Sequence, residues 1–138
     1  ADFISEKTHH NNGWVSETDG PRDASSVVSP HGPVRVFFND TLVASQKSGN
    51  GELNGTPHDE GSMTLKEFYE GDTVVGHAIY YKAAAGSTPE SFVYYCEGPQ
   101  GRCLQGEPEA TRDSPIYGAG HDVHFHACHG GMVFTTAP

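Results

Sequence analysis

The sequence predicts an α+β fold, an antiparallel sheet of about five strands with helices at its flanks. Three observations carry that expectation. Runs of β-branched and aromatic residues outnumber stretches of helical pattern. The connections between the middle runs are too short to hold helical crossovers, so consecutive strands pair antiparallel. The length, 138 residues, is that of one ordinary domain able to bury its own core. The whole chain, 1–138, is therefore read as a single domain, with residues 1–33 as an N-terminal arm packed on it.

That arm is mostly polar, with Gly, Pro, Asn and Ser throughout, broken only by Trp14-Val15 and Val27-Val28. A short helix fits around residues 2–10, and Trp14 supplies an anchor on the core. Val34-Arg35-Val36-Phe37-Phe38 reads as a strand, closed off by Pro33 before it and Asn39-Asp40 after it. A helix follows: Asn39, Asp40 or Thr41 caps it, Leu42-Val43-Ala44 supplies its apolar positions and Gly49 stops it. Residues 48–62 are rich in Gly, Asn, Ser and Pro and read as a loop.

Residues 62–69 and 73–82 form two strands of a hairpin about Glu70-Gly71-Asp72. Strand alternation sets Thr64, Lys66 and Phe68 on one face and Met63 and Leu65 on the other. Residues 83–90 connect to a further strand at 91–96. The stretch from 98 to 120 then reads as irregular and, being long, as a place where function is often carried. There are no internal repeats.

Asp and Glu total 18 against 8 Lys and Arg, a formal charge of -10, which argues against nucleic-acid backbones or anionic membranes as partners. No apolar run approaches membrane-spanning length. Ala1 at the start fits an export signal already removed. Of three cysteines, Cys96 and Cys103 enclose a short loop of turn residues, so a disulfide between them is expected, which suits an oxidising compartment and leaves Cys128 over.

The last stretch holds the densest chemistry. His121, His124, His126, Cys128 and His129 fall within nine residues. Cys128-His129 has the form of a haem attachment in which cysteine makes a thioether and histidine ligates iron. The full motif is C-x-x-C-H, and Phe125 stands at the first cysteine position, so at most one thioether can form. The other reading is zinc or copper at His121, His124, His126 and Cys128, since an extended backbone would turn His124, His126 and Cys128 to one side.

Val34-Arg35-Val36-Phe37-Phe38-Asn39-Asp40, Gly61-Ser62-Met63-Thr64-Leu65-Lys66-Glu67, Gly76-His77-Ala78-Ile79, the aromatic strand ending at Tyr95, and Cys128-His129 followed by Met132-Val133-Phe134-Thr135 occur in an order that resembles the cytochrome P-460 family, which includes cytochrome c′-beta. The resemblance spans roughly residues 14–138. It implies one haem c near the C-terminal segment, in an exported, periplasmic bacterial protein that forms homodimers and exchanges electrons with a redox partner protein.

By the same resemblance His129 is the iron ligand, Cys128 the single thioether, and Lys66 the position cross-linked to the porphyrin in members that oxidise hydroxylamine. Lys82 stands where those members carry a proton-accepting carboxylate. Hydroxylamine oxidation releases protons, and an ammonium has no lone pair to take one, so Lys82 favours binding of a ligand such as nitric oxide over its turnover. Should oxidation occur, His77 and Glu67 are the next bases to consider. Phe37, Phe68, Phe92, Tyr80 and Tyr94 are the candidate walls of the distal pocket. The competing function is a secreted zinc or copper module without haem.

Overall fold

The structure, a computed structural model, describes residues 4, 7–16, 18–23, 32–47, 59–84, 92–103 and 107–119. These form one six-stranded sheet in which every strand pairs antiparallel with its neighbour in sequence. The strands are β1 (Val15–Ser16), β2 (Val34–Phe38), β3 (Met63–Glu70), β4 (Thr73–Lys82), β5 (Phe92–Glu97) and β6 (Ile116–Ala119). Two short helices accompany them among the described residues, α1 (Thr8–Asn11) and α2 (Asp40–Lys47).

The antiparallel sheet is as expected, but the described chain is mostly β rather than α+β with flanking helices. The reading also missed both edge strands. β1 is two residues pairing with the end of β2, too short to show a period. β6 lies inside the segment taken as irregular, and pairs with β5 from Val93↔Ala119 to Cys96↔Ile116. Of the helix expected near 2–10, residues 2, 3, 5 and 6 lie outside the described residues, Ile4 is helical and a helix spans Thr8–Asn11. Lys7 ahead of it takes a left-handed φ of 51°, and no side chain caps the helix. β2 and β4 have the predicted bounds, while β3 and β5 are each displaced by one residue.

Alternation sorts the side chains to two faces. Val34, Val36 and Phe38 of β2, Phe68 of β3, Tyr80 of β4 and Cys96 of β5 share one face and pack with Leu42 of α2 as the core. Asn39 fixes that helix as predicted. Its Oδ1 accepts from the Leu42 and Met63 amides, both at 3.0 Å, and its Nδ2 donates to the Gly61 carbonyl at 2.8 Å. One side chain thus caps α2 and ties it to the start of β3. The expected Cys96–Cys103 disulfide is present, with 5.8 Å between Cα atoms, and draws the turn after β5 against the core.

The β3–β4 hairpin turns on Gly71, whose φ of 60° favours glycine, and Asp72. Its register then shifts between Phe68 and Tyr69, so that Phe68 faces Gly76 while Tyr69 faces Val74. Val75 is the extra residue of this bulge. Gly76 is required there: a Cβ would stand 2.7 Å from Gly98 Cα and 2.9 Å from Phe68 Cδ2. Among the described residues no helix is long and apolar enough to cross a membrane.

Gly76→Ala is accordingly expected to destabilise the fold by about 1–3 kcal/mol through overpacking, read as a lower urea midpoint. An unchanged midpoint for Gly76→Ala would mean that the Glu97-Gly98 backbone and the Phe68 ring do not close over this glycine.

Candidate functional site

The face away from the core carries a row of charge. Arg35, Glu67, His77 and Glu97 are successive register partners across β2, β3, β4 and β5. The next row on that face is apolar or aromatic, Phe37, Leu65, Ile79 and Tyr95. Strands lie about 4.8 Å apart, so the Glu67, His77 and Glu97 side chains stand shoulder to shoulder.

The N-terminal arm closes over this row. Arg35 holds it by donating from Nε to Ser16 Oγ at 2.9 Å and to the Thr18 carbonyl at 3.0 Å. From α1 the rings of His9 and His10 both meet the Phe37 ring, each at 4.9 Å between centroids. His9 is 1 % exposed. Its Nε2 lies 3.3 Å from Glu67 Oε2, and His10 Nε2 lies 3.0 Å from the same oxygen. Tyr69 donates to the other carboxylate oxygen at 3.0 Å.

Glu97 is held as firmly. Arg112 grips it with a fork, Nη2 to Oε1 at 2.6 Å and Nε to Oε2 at 3.1 Å, while the Tyr95 hydroxyl donates to Oε2 at 2.9 Å. His77 Nδ1 is 3.0 Å from Glu97 Oε1. Because the carboxylate only accepts, Nδ1 carries the hydrogen, and in the neutral ring the lone pair is left on Nε2.

The ionisation states follow from these contacts. Burial pushes the Glu67 carboxyl up, but hydrogen bonds from His9, His10 and Tyr69, with the charge of His10, outweigh it and hold the group at about 2. Glu97 is likewise lowered: burial opposes the shift, and Arg112, Tyr95 and His77 overcome it. Burial lowers His77 despite Glu97, which favours its neutral form. Tyr69 is raised and Tyr95 is pushed up to about 12, in each case by burial first and then by the neighbouring carboxylate, so both remain donors. His9, Glu67 and His77 each offer one metal-ligating atom, and these atoms lie within 4.8 Å of one another.

The residues singled out by sequence fall elsewhere. Lys66, half-buried between Val36 and Ala78, and Lys82, fully buried at the end of β4, are both on the core face with Phe68, Tyr80 and Tyr94. The register sets Phe92 opposite Lys82. Phe37 is a correction: it lies on the other face, beneath His9 and His10, and cannot wall the same pocket as Phe68. Glu67 and His77 are also on that other face, which removes both as bases for chemistry beside Lys82. Phe125, Cys128, His129 and the cluster of His121, His124 and His126 lie outside the described residues.

The core face carries aromatic rings and two lysines, and it is closely packed: Val36, Phe38, Leu42, Phe68 and Lys82 are fully buried. Among the described residues this face has no imidazole or thioether, and the disulfide takes up Cys96 and Cys103 as thiolate ligands. The described residues of this face therefore supply no iron ligand of their own.

His9 and His10 were not foreseen as site residues. They lie far from Glu67 in sequence, and only the fold of the arm unites them. Because the folded pKa of Glu67 is depressed from 4.5 to about 2, the unfolded chain takes up its proton first as the pH falls. The stabilisation is complete above about pH 5 and is lost progressively toward pH 2, with Glu67 contributing about 3 kcal/mol. Urea unfolding over pH 2–6 should show that slope, and Glu67→Gln should flatten it. An equally steep slope in the variant would assign the acid sensitivity to other carboxylates.

No family model, no curated protein and no solved structure matches the chain.

Proposed function

We propose that the chain is an exported mono-haem protein of the cytochrome P-460 kind, binding a small nitrogen-oxide ligand such as nitric oxide at its iron. The observation that supports this most is the gathering of Lys66, Lys82, Phe68, Tyr80 and Tyr94 on one sheet face. Lys66 and Lys82 are the two sheet positions that the resemblance picks out for chemistry, and they lie on separate strands. The Cys128-His129 pair supplies the attachment.

On this reading Cys128 holds the haem through one thioether, His129 ligates the iron and Lys66 lies against or bonds to the porphyrin edge. The haem supplies an iron that binds the nitrogen oxide and can change oxidation state. Lys82 is fully buried; its ammonium form donates a hydrogen bond but takes no proton, and only a neutral amine there would act as a base. Glu67 and His77 are turned to the opposite face. Ligand binding is thus favoured over hydroxylamine oxidation. The homodimer, periplasmic location and redox partner belong to the same proposal.

Expression alongside haem-maturation machinery should give a Soret band, and the denatured chain should be heavier by one haem. Cys128→Ser should free that haem into acidified organic solvent. A chain that carries no haem under those conditions would overturn the reading and leave the zinc or copper module at His121, His124, His126 and Cys128.

A further inference from the structure

We propose that His9, Glu67 and His77 form a metal centre for one divalent transition ion of the zinc type, on the sheet face opposite Lys66 and Lys82. This centre is separate from the C-terminal histidine cluster, and it stands whether or not the chain carries haem.

Three observations converge on it. The ligands come from three separate stretches, α1, β3 and β4, yet their donor atoms lie within 4.8 Å of one another. Bonds of about 2.0–2.2 Å around a tetrahedral ion put ligand atoms roughly 3.3–3.5 Å apart. His9 Nε2 and Glu67 Oε2 are already 3.3 Å apart, and the donor atom of His77 lies within 4.8 Å of the other two donors.

The site is also dry and oriented. The side chains of His9, Glu67 and His77 are 1 %, 5 % and 14 % exposed. Each of the two sheet ligands has a partner that fixes its direction. Glu97 accepts from His77 Nδ1, leaving Nε2 for the ion, and is itself gripped by Arg112 and Tyr95. Tyr69 steadies the Glu67 oxygen that His9 and His10 do not use. A carboxylate behind a ligating imidazole is a recurrent device of metal sites.

The donor set selects the ion. Two imidazoles and one carboxylate suit zinc and its first-row neighbours, whereas calcium and magnesium demand oxygen. One carboxylate against a divalent ion leaves a single positive charge. The fourth position is left to a water: His10, whose Nε2 is 3.0 Å from Glu67 Oε2, is not among the residues whose donor atoms all lie within 4.8 Å of one another. A helix of four residues is not stable alone, and an ion shared by α1, β3 and β4 would fasten the arm to the sheet.

Zinc uptake by the full chain, measured by equilibrium dialysis, tests the centre. His9→Ala and His77→Ala should each weaken one zinc site by roughly tenfold or more. A variant with His121, His124 and His126 all replaced by Ala should keep that site. Full zinc affinity in both single variants, or loss of all zinc binding in the triple variant, would overturn the proposal. If a single variant fails to fold, nitrogen-15 spectra of the unaltered protein decide: zinc should shift the ring nitrogens of His9 and His77, and shifts absent from both rings would overturn it equally.

Discussion

The bulge between β3 and β4 decides which chemistry each face of the sheet carries. A hairpin closed by the two residues Gly71 and Asp72 and continued without interruption would set Glu67 opposite Gly76. The extra residue, Val75, moves that pairing on by one, so Glu67 faces His77. Because side chains alternate with period two, the same shift turns every residue of β4 beyond it to the other face. His77 thereby joins Glu67 and Glu97, and Ala78, Tyr80 and Lys82 join the core.

The two faces then differ in kind. One is apolar and aromatic, closed by α2 at β2 and β3, with Lys66 and Lys82 among its members. The other holds a row of paired charges that fixes the N-terminal arm. Burying a carboxylate such as Glu67 is costly unless it is fully hydrogen-bonded. His9, His10 and Tyr69 meet that need, as Arg112 and Tyr95 do for Glu97. The arm is ordered here because the sheet's carboxylates require partners. The haem proposal concerns the first face and the metal-centre proposal the second, so neither depends on the other.

What was legible in the sequence is local. Val34-Arg35-Val36-Phe37-Phe38 and the hairpin strands declare themselves by β-branched and aromatic residues, Asn39 by its place before an apolar helical run, and Cys96 and Cys103 by the short loop of turn residues between them. The face shared by Lys66 and Phe68 followed from alternation within one strand. What was hidden depends on long-range pairing. Ile116-Tyr117-Gly118-Ala119 shows no strand period, and becomes a strand because β5 offers it an edge. Phe37 looked like any other core aromatic until the register set it under His9. Glu67 and His77 seemed to be bases near Lys82 because nothing in the hairpin sequence announces the bulge apart from Gly76. That glycine is needed where the backbone of Gly98 and the ring of Phe68 come close.

The register of β3 on β4 is therefore the claim to measure. Directly opposed residues in an antiparallel pair bring together either their Hα atoms or their amide hydrogens, so cross-strand nuclear Overhauser contacts report the pairing without substitution. Contacts linking Leu65 with Ile79 and Glu67 with His77 are the result predicted here. Contacts linking Glu67 with Gly76 and Leu65 with Ala78 would contradict it, placing His77 and Lys82 on faces opposite to those described.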